Sequence, residues 1–132
     1  MFQNDLFKDK IALVTGGRSG IGYAIAKMML QLGAKVTICS RKEEKLKKAA
    51  EELQEFGACD YKACDIRQLE DIQVLAAHIK ERHGRLDILV NNAGGKFPAL
   101  SEHINNKGWN AVINNNLNAT FSMIRQMANA FF

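Results

Sequence analysis

The sequence predicts an α/β protein built on a doubly wound parallel sheet. Short unbroken apolar runs, such as Ile11 to Val14, are typical of strands buried on both faces. Each run is followed by a segment with helical periodicity, and the turns between them are too short for anything but crossovers. The four predicted strands therefore take the order 3-2-1-4. In such a sheet a ligand lies beside the first strand, at the carboxyl ends of the strands.

The predicted strands span residues 10–15, 35–40, 59–64 and 86–90, and the first three helices span 20–32, 42–56 and 69–83. Each of these helices ends at a glycine: Gly33, Gly57 and Gly84. Apolar residues at three- and four-residue steps predict the buried faces: Ile21, Ile25, Met28, Met29 and Leu32; Leu46, Ala49, Ala50 and Leu53; Ile72, Leu75, Ala76 and Ile79. The lysines and glutamates of the second helix alternate, which favours a solvated outer face.

A long final helix is predicted from about residue 106 to the end of the chain. Its seven neighbouring asparagines between positions 105 and 118 are poor helix formers, so this helix depends on tertiary packing. Its predicted apolar stripe consists of Trp109, Val112, Ile113, Leu117, Phe121, Ile124, Ala128 and Phe131.

Composition excludes several classes of protein. The 132 residues suit one domain with a modest core, and no apolar run approaches the ~20 residues of a membrane span. The first five residues lack the features of a signal peptide, so we expect a cytoplasmic location. A formal charge of +4 without basic runs interleaved with aromatics argues against nucleic acid and suits a ligand with several phosphates. The three cysteines have no metal-ligand spacing, and Cys39 and Cys64 are interpreted as small buried hydrophobes rather than redox groups.

The stretch from Thr15 to Gly22 joins the first strand to the first helix through a glycine-rich turn. The start of a helix offers unpaired N–H groups and the positive end of the macrodipole, so it attracts phosphate. A Cβ at Gly16, Gly20 or Gly22 would hinder, in turn, the tight turn, the approach of phosphate and the packing of the helix on the strand. A glycine-rich turn also often just connects two elements, and the strand and helix around this one favour nucleotide binding.

Three ordered motifs resemble those of the short-chain dehydrogenase/reductase family. They are Thr-Gly-x-x-x-Gly-x-Gly from Thr15, Asn-Asn-Ala-Gly from Asn91, and Asn-Leu-x-Ala-x-Phe from Asn116. The resemblance implies that residues 1–132 form the NAD(P)-binding, Rossmann-type part of an oxidoreductase, truncated after the fifth long helix of that fold. The sequences at 91–97 and 102–109 are similar to those of the enoyl-CoA and 2,4-dienoyl-CoA reductase branch.

Cofactor preference is predicted at the end of the second strand. Dinucleotide folds that prefer NAD carry an Asp or Glu there, whereas this chain has Ser40 and Arg41. Arg41 offers a guanidinium fork to a 2′-phosphate, and Arg18 in the glycine loop supplies a second cation. The alternative is that Arg41 simply begins a helix in solvent. We predict NADP(H) in preference to NAD(H).

The resemblance assigns further residues to the cofactor. Ser19 and Ile21 belong to the phosphate loop with Gly16, Gly20 and Gly22. Asp65 matches the position that binds the adenine amino group, with Ile66 lining the adenine slot, although an Asp after a strand is often only a helix cap. Asn91, Ala93 and Gly94 match the backbone beside the nicotinamide ribose, although two asparagines before Ala-Gly are also a turn signal.

Asn116 aligns with the catalytic asparagine of the family, which acts with a Ser, a Tyr and a Lys four residues after that Tyr. The Tyr is the general acid, and the Asn fixes a water that relays protons to the Lys. Tyr23 and Lys27 have the required spacing but lie beside the phosphate loop, so we reject them, and Tyr61 is followed four residues later by Asp65. No metal site is predicted, and we expect these 132 residues alone to be inactive.

The main hypothesis is therefore the amino-terminal part of an NADP(H)-dependent short-chain oxidoreductase. Its small-molecule substrate would be a carbonyl or alcohol, or an enoyl-CoA-type compound. The alternative is a catalytically inactive NADP(H)-binding or interaction module that lacks the Tyr-Lys pair. In this family the long final helix usually packs against its copy, so we expect a homo-oligomer formed through it. A pure assembly protein, the third possibility, rests on that helix alone.

Overall fold

The sheet has four parallel strands, which are β1 (Ile11–Thr15), β2 (Lys35–Ser40), β3 (Cys59–Ala63) and β4 (Ile88–Val90). The computed structural model describes residues 2–94 and 101–132. The strands lie in the order β3-β2-β1-β4, and Leu13 of β1 pairs with Thr37 on one side and Leu89 on the other. The predicted 3-2-1-4 order of a doubly wound sheet is confirmed.

The four predicted helices are present, and the last of them is divided in two by a π-helical turn at Asn114–Asn118. The resulting helices are α1 (Gly20–Gln31), α2 (Glu43–Leu53), α3 (Leu69–His83), α4 (Asn106–Ile113) and α5 (Ala119–Phe131), with one 3-10 turn at Ser101–His103. The largest shortening is in α2, which ends at Leu53 rather than at position 56, and β4 begins at Ile88 rather than at position 86. Among the described helices, none is long and apolar enough to cross a membrane.

Alternate residues of β1 face opposite sides of the sheet, and each side carries its own core. Ala12 and Val14 face α1 and α2, where the predicted inward residues of α2 are buried. Ile11 and Leu13 face α3 and α5, where the predicted inward residues of α3 are buried. Covering both faces explains why the residues of β1 are all buried.

The predicted stripe of α1 is wrong at two of its members. Ile21 is 74% exposed and Met28 is 51% exposed, whereas the residues that the helix buries are Gly22, Ala26, Met29 and Leu30. Apolar side chains surround most of this helix, so their spacing does not single out one face. Gly22 contacts the preceding turn at Gly16, and this contact fixes which face of α1 packs against the sheet.

The final helical segment is also turned differently from the prediction. Its buried residues are Gly108, Ala119, Met123 and Met127, and α5 packs on α3 through this side. Trp109, Leu117, Phe121 and Ile124 of the predicted stripe are more than half exposed. Between α4 and α5 the asparagine-rich stretch Asn114–Asn118 forms a π-helical turn, and helical backbone angles run through it without a break. A wide turn of this kind rotates the following residues relative to a regular α-helix.

Candidate functional site

A cleft of about 330 Å³ opens at the carboxyl ends of β1, β2 and β3. Most of the predicted site residues line it: Gly16, Arg18, Ser19, Ser40, Arg41, Asp65, Ile66, Ala93 and Gly94. The other predicted residues, Gly20, Ile21, Gly22, Asn91 and Asn116, are not among its lining residues. This is the edge of the sheet where the strand order reverses, and ligands of such folds bind there.

The start of α1 borders this cleft through its N-cap residue, Ser19, and no side chain of the described residues caps it. Ser19 occupies the N-cap position in an extended conformation, and its side chain makes no capping hydrogen bond. Gly20 adopts a φ of +59°, and a Cβ built on it would meet no protein atom within 4 Å. The helix start therefore presents open space and unsatisfied N–H groups, which is the arrangement that binds phosphate.

Gly16 and Gly22 bring the turn and the helix into direct contact. Gly16 has a φ of +69°, and its N–H donates to the Cys39 carbonyl at 2.9 Å. A Cβ on Gly22 would overlap the Gly16 carbonyl oxygen and press on the Asn92 side chain. The predicted role of Gly22 in close packing therefore holds, but its neighbour is the turn itself rather than the strand.

Thr15, at the end of β1, joins the glycine turn to the turn that follows β4. Its hydroxyl accepts hydrogen bonds from the backbone N–H groups of Asn92 at 3.0 Å and Ala93 at 2.9 Å, and donates to the Val90 carbonyl at 3.3 Å. Thr15 is only 1% exposed. A polar side chain that ends a buried apolar strand was the available signal for this role, and it was missed.

Three cationic residues line the cleft, and none has a partner among the residues that the structure describes. Among the described residues, the side chains of Arg18, Arg41 and Lys42 make no hydrogen bond and no ion pair. The hydroxyl of Ser40 is buried and also has no partner within the described part of the chain. Unpaired cations beside an unsatisfied donor are the residue set that an anionic, polyhydroxylated ligand would satisfy.

Asp65 is the acidic residue that lines the cleft, and Arg67 grips its carboxylate. Arg67 donates from Nε to Oδ1 at 2.9 Å and from Nη2 to Oδ2 at 2.8 Å. Hydrogen bonding from Arg67, with a smaller contribution from the nearby charge of Arg41, lowers the pKa of Asp65 below its ordinary value. The carboxylate is therefore ionised throughout the neutral range.

The π-helical turn contributes one side of the cleft. Asn115 lines the cleft, and a Cβ on Gly94 would collide with the Oδ1 atom of Asn116. The Asn116 side-chain amide donates to the Val112 carbonyl at 2.9 Å. The predicted catalytic asparagine therefore lies against the end of the Asn-Asn-Ala-Gly turn, next to the cleft rather than in its lining.

Tyr23 is directed away from this site. Its hydroxyl donates to Glu52 of α2 at 3.3 Å, and Tyr23 does not line the cleft. Burial, followed by the charge of Glu52, raises its pKa above the ordinary value, which is unhelpful to a general acid. This geometry agrees with the rejection of the Tyr23–Lys27 pair.

Several lining residues were not predicted: Cys39, Lys42, Cys64, Asn92 and Asn115. Lys42 directly follows Arg41, and this second cation after the strand was an available signal. The two thiols are buried, as predicted. Within the described ranges, no cluster of His, Cys, Asp and Glu side chains is arranged to hold a metal ion.

The family model described as short chain dehydrogenase matches residues 10–132. The chain is 38% identical over 122 residues to a putative ketoacyl reductase of Streptomyces coelicolor, covering 92% of this chain and 47% of that protein. It is 37% identical over 113 residues to a probable 2,4-dienoyl-CoA reductase of Bacillus subtilis, covering 85% of this chain and 44% of that protein. The chain thus spans about half the length of the curated relatives it matches.

Solved structures give the same picture. A citronellol catabolism dehydrogenase of Pseudomonas aeruginosa superposes with a TM-score of 0.93 at 39% identity, covering 99% of this chain and 54% of that one. The RhlG/NADP active-site complex of the same organism superposes with a TM-score of 0.90 at 38% identity, covering 97% and 50%. The predicted resemblance is confirmed at the level of fold and family, and both ketoacyl and dienoyl-CoA reductases are among the relatives.

Proposed function

This chain belongs to the short-chain dehydrogenase family, and on that premise we propose that residues 1–132 are the dinucleotide-binding domain of an NADP(H)-dependent oxidoreductase. One observation carries the proposal: three cations, Arg18, Arg41 and Lys42, line the cleft at the carboxyl edge of the sheet and are unpaired within residues 2–94 and 101–132. A relative solved as an NADP complex supports the same choice of cofactor.

The residues present fit such a cofactor along its length. The uncapped start of α1 suits the pyrophosphate, with Gly20 leaving room for its approach. The adenine would lie beside Ile66, with the Asp65 carboxylate accepting from its amino group. At the other end, the backbone from Asn91 to Gly94 is held by Thr15 and suits the ribose next to the nicotinamide.

The phosphorylated cofactor is favoured over NAD(H) by charge and by hydrogen-bonding type. A 2′-phosphate adds about −1.5 to −2 charges and acceptor oxygens, which match Arg41, Lys42 and Arg18. In NAD-selective folds, an acidic side chain after the second strand instead accepts hydrogen bonds from the free ribose hydroxyls. Here that place holds Ser40 and Arg41, and the buried Ser40 hydroxyl has no hydrogen-bond partner among the described residues.

When bound, the nicotinamide ring supplies or accepts a hydride. The backbone at Ala93 and Gly94 would hold that ring, and Asn116 packs against Gly94 there. We assign Asn116 to the proton-transfer machinery, supported by its place beside the nicotinamide end of the cleft. Because neither tyrosine of this chain lines the cleft, we expect residues 1–132 alone to bind the cofactor without turning over substrate.

For the substrate we propose a small carbonyl or alcohol, or an enoyl group carried as a CoA thioester. Relatives with printed names of both kinds support this range. We also propose that the protein self-associates through the outer face of α4 and α5. Leu117, Phe121 and Ile124 are 62%, 62% and 51% exposed there, which is an unusual run of large apolar side chains for a free surface.

The test is a calorimetric titration of the purified protein with NADPH and NADH. We expect NADPH to bind at least about tenfold more tightly, equivalent to about 1.4 kcal/mol. Arg41→Gln should remove most of this preference, because it deletes a charge-assisted fork for the 2′-phosphate. Arg125→Gln is the matched control, since Arg125 is exposed on α5 and lies outside the cleft. A folded protein without affinity for either cofactor would refute the proposal.

A further inference from the structure

The ion pair between Asp65 and Arg67 has a consequence for the choice of cofactor. Asp65 lines the same cleft as Arg18, Arg41 and Lys42, and it is the acidic residue among the lining side chains. A bare carboxylate in this place would repel a 2′-phosphate and attract the cations meant for it. The cleft therefore needs a device that neutralises Asp65.

Arg67 provides this device with two-pronged geometry. Both carboxylate oxygens of Asp65 are engaged by the guanidinium, and the Arg67 backbone N–H adds a third donor to Oδ1 at 3.0 Å. The surrounding backbone is fixed as well, because the Asp65 N–H donates to Asp71 at 2.9 Å. Arg67 does not line the cleft itself, so its charge acts through Asp65.

Arg41 is the side chain that would pair with Asp65 if Arg67 were removed. It is the other cation whose charge acts on Asp65, yet it makes no ion pair with it. Without the Arg67 fork, the exposed and flexible Arg41 side chain would become the nearest partner for the carboxylate. Arg41 would then be drawn from the 2′-phosphate position toward the adenine side of the cleft.

We propose that Arg67 is a specificity-determining positioning residue: by occupying the Asp65 carboxylate, it leaves Arg41 and Lys42 free to bind the 2′-phosphate of NADPH. This inference rests on the proposed function, because it deepens the account of the same site. It predicts an effect on the preference between NADPH and NADH, since the two cofactors share the adenine and differ at the 2′ position.

The experiment measures dissociation constants for NADPH and NADH in the purified protein and four variants. Arg67→Gln should weaken NADPH binding roughly fivefold to tenfold, with NADH changed less than about twofold. Arg67→Lys keeps the charge and should retain most of the preference. In the double variant Asp65→Asn with Arg67→Gln, the carboxylate charge is gone, so the ratio of the two constants should return to that of the parent.

The matched control is Arg85→Gln. Arg85 grips Asp87 with the same two-residue spacing, at 2.8 to 3.2 Å, but at the amino end of β4, away from the cleft. Its loss should leave the ratio unchanged, and circular dichroism should show every variant folded. An unchanged ratio in Arg67→Gln, equal losses for both cofactors, or a changed ratio that persists in the double variant would each overturn the inference. Failure of the parent protein to bind NADPH would instead refute the proposed function, and the inference with it.

Discussion

Replacing Thr15 by valine tests whether one buried hydroxyl holds the two loops of the cleft together. Valine keeps the shape of threonine but cannot accept the N–H groups of Asn92 and Ala93 or donate to the Val90 carbonyl. Each buried donor left without a partner costs about 1–3 kcal/mol. The Asn92 N–H keeps a second acceptor, the Val90 carbonyl at 3.1 Å, so the valine leaves only the Ala93 N–H unpaired among the described residues. We therefore expect a loss of about 1–3 kcal/mol in the free energy of unfolding, which is a sizeable part of the stability of a small domain.

The same change should weaken NADPH binding, because Ala93 and Gly94 line the cleft and depend on this anchor. Urea unfolding followed by circular dichroism gives the first quantity, and calorimetric titration gives the second. Thr15→Ser is the matched control. It keeps the hydroxyl and removes one methyl group, so it should cost only about 1 kcal/mol and leave NADPH affinity nearly intact. Equal stability and equal affinity in the valine and serine variants would refute the reasoning.

Three further predictions concern the rest of the molecule. The Asp60 carboxylate accepts from the buried Thr37 hydroxyl at 2.6 Å and contacts the His78 ring nitrogen Nε2 at 2.7 Å. Asp60→Ala removes this partner from both groups, so it should lower the free energy of unfolding by about 2–4 kcal/mol in thermal melts, whereas Asp5→Ala, at an exposed position, is the control and should have little effect. Burial raises the pKa of Cys59 to about 12, so this thiol in the native protein should resist iodoacetamide at pH 8. The free energy of unfolding should also fall from about pH 9 upward, because the Cys59 thiol then ionises in the unfolded chain but not in the native protein. Phe121→Ser should shift the protein toward monomer in gel filtration, and an unchanged elution volume would count against association through α5.

The elements and their order could be predicted because each depends on local signals. Continuous apolar runs, glycine stops and helical periodicity are properties of neighbouring residues, and α3 matches the prediction at both ends. The inward face of α1 could not be predicted in the same way. Ile21 and Met28 fit a helical stripe as well as the buried residues do, and the seat of Gly22 on the Gly16 carbonyl, which fixes the rotation, is a contact outside the helix.

The prediction of the buried face of the final helix was wrong for a related reason. The π-helical turn at Asn114–Asn118 adds a wide turn that shifts the phase of everything after it. A regular 3.6-residue count through that stretch therefore selects Phe121 and Ile124, whereas the packed side carries Met123 and Met127. Seven asparagines in the region marked a weak helix, but no local rule states which turn will widen.

Charge shows most clearly what the fold adds to the sequence. A net charge of +4 identifies no site, because a cation in an ion pair and a cation without a partner contribute equally to the positive charges that are counted. The fold separates them: Arg67, Arg82 and Arg85 are each bound to an aspartate, whereas Arg18 and Arg41 face a shared cleft unpaired among the described residues. The two kinds depend on each other. If Arg67 occupies Asp65 as we propose, the positive charge of Arg41 and Lys42 stays available, and this cleft is able to select a phosphorylated ribose.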